Sequence, residues 1–191
     1  TRYEVDTRGE EGQFILTGSA VPVESKEMTH SGTGRFTWLT MRPMSLYESN
    51  ESTGEVSLEE LFTTPKQITG ANSIDIDNLA FEICRGGWPH AVGMGEKAAL
   101  SQAIDYYDAV IKSDINRADG VNKSPERVKR LMKSFARNQG AQVANTVLKA
   151  DIQVNDTESL NEDTIASYIN ALKKIFVVED MPAWNPNLRS K

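Results

Sequence analysis

The chain has 191 residues, 39% of them hydrophobic and 25% charged, the make-up of a globular protein with room for one large domain or two small ones. No run approaches the roughly 18 consecutive apolar residues of a membrane span. One cysteine, Cys84, excludes an internal disulfide framework and a cysteine-built zinc site, and two histidines sixty residues apart, His30 and His90, argue against a histidine metal centre.

The net charge of −6 is unevenly spread: residues 1–115 carry 9 basic and 18 acidic side chains, residues 116–151 carry 8 and 3, and residues 152–191 carry 4 and 6. A basic block inside an acidic chain marks a possible anion-binding face, while the acidic remainder argues against a general nucleic-acid coat. With no basic-then-apolar leader, the expected location is cytoplasmic.

Residues 1–12 read as a polar surface segment. Gln13-Phe14-Ile15-Leu16-Thr17 is an unbroken apolar run ended by Gly18-Ser19, which suits a strand buried on both faces of a parallel sheet. Residues 20–34 read as a loop, and Arg35-Phe36-Thr37-Trp38-Leu39-Thr40-Met41 as a second strand closed by Pro43. Two strands alone are marginal in water, so the chain reads as part of something larger.

Helices follow. Ser57-Leu58-Glu59-Glu60 fits a capping box. Ile76, Leu79, Ala80, Ile83 and Cys84 recur at helical spacing, with Cys84 read as a small core residue, until Gly86-Gly87 and Pro89 stop the helix. Leu100, Ala103, Ile104, Tyr107 and Ile111 stripe a longer helix, and Ala118–Ser124 is the best domain boundary. Beyond it, Pro125 opens a helix with Val128, Leu131, Met132 and Phe135 inward. Val143, Val147 and Leu148 form a shorter one after Gly140, and Asn161 caps a third with Ile165, Tyr168, Ile169 and Leu172 inward. Ile175-Phe176-Val177-Val178 reads as a strand. Three helices and then a strand is the order of a winged helix-turn-helix.

Several ordered motifs carry a family resemblance. Phe14-Ile15-Leu16-Thr17-Gly18-Ser19, Gly32-Thr33-Gly34-Arg35, Met41-Arg42-Pro43-Met44-Ser45-Leu46 with Glu48, Arg85-Gly86-Gly87-Trp88-Pro89, Ser134-Phe135-Ala136-Arg137-Asn138, Thr164 with Tyr168, and Val178-Glu179-Asp180-Met181-Pro182-Ala183-Trp184 together resemble prokaryotic AAA-type P-loop ATPases with a DUF4143 region. The resemblance implies an α/β remnant of an ATPase core with a helical lid over residues 1–118, followed by a mostly α winged helix-turn-helix domain over 119–191. The phosphate loop and the acidic strand that holds magnesium have no counterpart, since Gly93-Met94-Gly95-Glu96-Lys97-Ala98 has the wrong spacing. ATP and Mg2+ therefore belong to the implied parent protein, and the chain alone is expected neither to bind nor to hydrolyse ATP usefully.

The resemblance assigns nucleotide sensing or binding in the parent to Thr17, Ser19, Arg35 and the turn Arg85, Gly86, Gly87 and Pro89. Physical readings stay open beside it. Thr17 and Ser19 close a strand at its carboxyl edge, where they bind a ligand or satisfy backbone groups. Arg35 acts as a charge stabiliser or merely opens a strand, and Gly86-Gly87 suffices as a helix stop. Arg127, Arg130, Lys133 and Arg137 share one helix face, a phosphate or partner contact, although Glu162-Asp163 at the start of the third helix oppose base reading. The functions expected are the sensor, lid and winged-helix part of an ATPase inactive alone, a DNA-binding module, or an interaction domain linking an ATPase to an effector. The expected partners are the parent's missing N-terminal and C-terminal parts, a second copy through open strand edges, and weak nonspecific nucleic acid, with no membrane.

Overall fold

Among the described residues, local helix signals prevail over strand signals. The computed structural model describes residues 2–19, 37–64, 69–154 and 160–182, and every regular element among them is a helix. In chain order these are α1 (Arg2–Arg8), α2 (Leu58–Thr63), α3 (Ile76–Arg85), a 3-10 turn at Pro89–Ala91, α4 (Glu96–Ala109), a π turn at Val110–Asp114, α5 (Ile115–Arg117), α6 (Pro125–Arg137), α7 (Asn145–Gln153) and α8 (Glu162–Lys174). The chain divides into two compact units, one made of Thr1–Phe36 with Ala109–Lys191, the other of Thr37–Asp108.

The first unit has a conventional apolar core. α6 packs on α7, α7 on α8, α5 on α8, and the π turn on α6. Val110, Ile111 and Ile115 come from the π turn and α5, Val128 and Leu131 from α6, Leu148 and Ile152 from α7, and Ile165, Ala171 and Leu172 from α8; all are buried. Pro125 occupies the first turn of α6, where its missing N–H costs nothing. The Asn161 side chain accepts the Thr164 amide at 2.7 Å and so starts α8.

The α/β reading is corrected, because none of the three expected strands forms among the described residues. Residues 13–17 have no ladder partner, and Ile15 stands 90% exposed. Of the run 35–41, Arg35 and Phe36 lie outside the described residues, while Trp38, Leu39 and Met41 are largely exposed. A strand needs a neighbour for its amides and carbonyls, and a short apolar run cannot show that the neighbour exists.

The third run has a different explanation. After the C-cap Ile175, Phe176 adopts φ 58, its amide donates to Lys173 O at 3.0 Å, and the Val177 amide donates to Leu172 O at 3.0 Å. That is the paired bonding of a Schellman motif, which ends a helix by turning one residue left-handed. Ile175-Phe176-Val177-Val178 is thus the end of α8, and the strand expected there for a winged helix does not form.

The second unit is built the other way round. Its buried residues are Ala91 and Ala99 among the apolar ones, and Ser49 and Arg85 among the polar ones. A close backbone approach joins the turn after α3 to the segment before α2: the Met44 amide donates to Gly87 O at 2.8 Å. A Cβ on Gly87 would stand 2.3 Å from Met44 O and 2.8 Å from Met44 N, both immovable backbone atoms. Gly86 sits beside it at φ 73, a region that suits glycine. Gly87→Ala should therefore destabilise the second unit by about 2–3 kcal/mol, within the range of a backbone clash. Hydrogen exchange would report it, with faster exchange at Met44 while amides in α6 and α8 keep their protection. Unchanged protection at Met44 would show that the approach does not hold the unit together.

Candidate functional site

α3 turns its faces the opposite way from a core helix. Asp75 caps it, its side chain accepting the Asn78 amide at 2.8 Å. Ile76, Leu79 and Ile83 then fall at positions i, i+3 and i+7, one apolar stripe. That stripe points outward, with Ile76 81%, Leu79 41% and Ile83 73% exposed. Cys84, read from sequence as a core residue, is exposed as well. The inward side of the helix instead carries Arg85, which is only 4% exposed.

Arg85 is held by two parallel bonds to the carboxylate of Glu51: Nη1 donates to Oε1, and Nη2 donates to Oε2 at 2.7 Å. Its Nε donates to Gly86 O at 3.1 Å, and the guanidinium lies 5.9 Å from the Phe81 ring centroid. Ser49 Oγ donates to the same Glu51 carboxylate. The Arg85 hydrogen bond holds the Glu51 carboxyl below its ordinary range, against the opposing effect of burial. A fork-on-fork pair of this kind fixes both partners in space. It carries the turn Gly86-Gly87-Trp88, and Trp88 in turn meets Tyr106 with ring centroids 4.5 Å apart.

A second buried cation lies in the first unit. Lys123, 1% exposed, donates from Nζ to Asp119 Oδ1 at 2.7 Å and Oδ2 at 2.6 Å, and lies 5.9 Å from the Tyr168 ring centroid. Burial would raise the Asp119 pKa, but the Lys123 bond, the Val121 amide and the charges of Lys123 and Lys174 together lower it. Tyr168 Oη accepts the Ser124 amide at 2.9 Å, joining α8 to the start of α6. An open cleft of about 370 Å³ beside this cluster is lined by Lys123, Arg127, Asn161, Asp163, Thr164 and Tyr168 among others. Its deepest cation is already neutralised by Asp119.

The site residues expected from sequence do not converge. Thr17 and Ser19 are exposed in an irregular segment, and Arg35 and His30 lie outside the described residues. Arg85, Gly86 and Gly87 form the clasp just described, and Pro89 and His90 are the exposed residues of the 3-10 turn. On α6, Arg130 donates to Val154 O and Arg137 Nη2 to Asp151 Oδ2 at 2.7 Å. Two of the four cations of the basic face are thus turned onto the chain itself, while Lys133 is exposed and Arg127 is half-buried at the cleft. The Ser134 hydroxyl and Arg137 keep the Asp151 carboxyl below its usual range. Sequence reasoning missed Glu51, whose partner is 34 residues away, and the Asp119–Lys123 pair, which lies in the loop between α5 and α6 where no helical spacing announces it. Among the described residues no group of three His, Cys, Asp or Glu side chains is placed to hold a metal ion. No helix among them is long and apolar enough to cross a membrane.

Residues 76–191 match a family model described as Domain of unknown function (DUF8612). This corrects the resemblance to P-loop ATPases with a DUF4143 region, and the nucleotide roles it lent to Thr17, Ser19, Arg35 and the Arg85 turn lose their ground. No curated protein and no solved structure matches the chain.

The Arg85–Glu51 pair gives a direct test. Glu51→Gln leaves a guanidinium buried without its counter-charge, and should cost about 2–3 kcal/mol; Glu51 keeps 23% side-chain exposure, so the loss falls below that of a fully buried pair. The pH dependence has a definite sign. Because the folded pKa of Glu51 lies below its ordinary 4.5, the stabilisation is present above that value and is lost as pH falls through the folded pKa. Urea melts between pH 3 and 7 should therefore show a shallower acid limb for Glu51→Gln than for the wild type. Superimposable limbs would remove the pair from the stability of the unit.

Proposed function

We infer that this chain, which belongs to the DUF8612 family, is a helical protein-interaction module whose docking element is α3. One observation carries the reading: α3 buries a charged residue and presents Ile76, Leu79 and Ile83 to solvent. Such an arrangement wastes the hydrophobic contribution of the stripe unless another surface covers it. Covering these three side chains would contribute about 4 kcal/mol before the cost of association.

This is the interaction-domain function among those the sequence suggests. A nucleic-acid role is less well supported, because Arg130 and Arg137 make contacts within the chain that a phosphate would have to displace. We place the module in the cytoplasm, where an exposed unpaired thiol such as Cys84 is stable in its reduced form.

A peptide-display selection against the full chain tests the reading, with Ile83→Asp as the discriminating variant. Ile83 is exposed, so the variant should keep the wild-type circular dichroism and melting temperature. Peptides enriched on the wild type should bind the variant at least tenfold more weakly. No enrichment, or enrichment indifferent to Ile83, would overturn α3 as the docking element.

A further inference from the structure

We propose that the occupant of the α3 face is an amphipathic helix with a basic rim. The proposal rests on the interaction reading above and adds the chemistry of the partner. Shape gives the first argument. α3 has ten residues, hence about 15 Å of axis, and its anchors Ile76, Leu79 and Ile83 lie along a single straight stripe. A straight stripe of that spacing is complementary to a second helix with anchors at i, i+3 or i+4, and i+7.

Charge gives the second argument and selects among occupants. The segment 37–108 contains 4 basic and 11 acidic side chains, a net charge of −7. Arg85 and Glu51 neutralise each other, so the −7 is carried by the remaining side chains. Beside the stripe, the exposed Asp75 and Asp77 belong to the cap and first turn of α3. An apolar surface set in a field of this sign attracts a partner whose rim carries Lys or Arg, and raises its rate of encounter. The same field disfavours two other occupants: a second copy meeting α3 with its own residues 37–108 brings the same −7, and an anionic lipid surface is repelled.

The test uses the full chain and three fluorescent 18-residue peptides. The first is a Leu/Lys helix with Leu at i, i+3, i+4 and i+7 repeats; the second has Glu in place of every Lys; the third scrambles the first so that no apolar face forms. Anisotropy titration should show saturable one-to-one binding of the first peptide, at least tenfold tighter than the scrambled one, and no saturation with the Glu peptide. Raising the salt from 50 to 500 mM should weaken it about tenfold, as expected for exposed charges. Ile76→Ser combined with Ile83→Ser should weaken it at least tenfold with an unchanged melting temperature. Asp77→Asn, which leaves the apolar stripe intact, should weaken it less.

Equal binding of the regular and scrambled peptides would reduce the effect to unspecific charge attraction and overturn the proposal. So would salt-independent binding, or a dimer in sedimentation that Ile83→Asp dissolves, which would make a second copy the occupant. If the display selection instead yields Ile83-dependent peptides that are acidic or non-helical, the interaction reading stands and this proposal alone fails.

Discussion

The second unit depends on one buried ion pair. Most small domains place aliphatic side chains at their centre and charges at the rim; here Arg85 is buried against a half-buried Glu51, while Ile76, Ile83 and Ile104 are exposed. Removing a guanidinium from water is costly, and only bidentate geometry with further hydrogen bonds offsets the cost. Each group near the pair serves that end: Gly86 O and the Phe81 ring face Arg85, and Ser49 Oγ faces Glu51. The pair also ties the loop before α2 to the C-terminal end of α3, two segments that no regular element joins.

The cost of this arrangement explains the outward stripe. A helix has one inward side, and Arg85 claims it, so Ile76, Leu79 and Ile83 must face away. In the first unit the opposite choice was made. Its helices bury Ile111, Leu131, Ile152 and Leu172, and its buried Lys123 sits among them neutralised by Asp119. One unit thus owes its stability to apolar packing, and the other leaves much of its apolar surface exposed.

The helices were legible in the sequence wherever a cap and a period agreed. Asn161 with Ile165, Tyr168 and Leu172, Pro125 with Val128 and Leu131, and the stripe of α3 all sit on helices. What periodicity could not supply was direction: the α3 stripe reads identically whether it faces a core or solvent, because the deciding residue, Glu51, lies far away in sequence. The strands failed for a related reason. Residues 13–17 and 37–41 have strand-like composition, but propensity describes a surface that packs, and no packing partner is present among the described residues. Gly86-Gly87 as the stop of α3 was legible in the sequence, whereas the close approach of Gly87 to Met44 was not.

The end of α8 has a consequence of its own. Phe176 takes the left-handed conformation that glycine adopts at no cost, and for a side-chain-bearing residue this costs about 1 kcal/mol. In return, the carbonyls of Leu172 and Lys173 are satisfied by the two residues that follow the cap. The stop is therefore written into the hydrogen bonding of the helix end itself. α8 is punctuated from within, so whatever sequence comes next inherits a fixed direction of exit and cannot lengthen the helix.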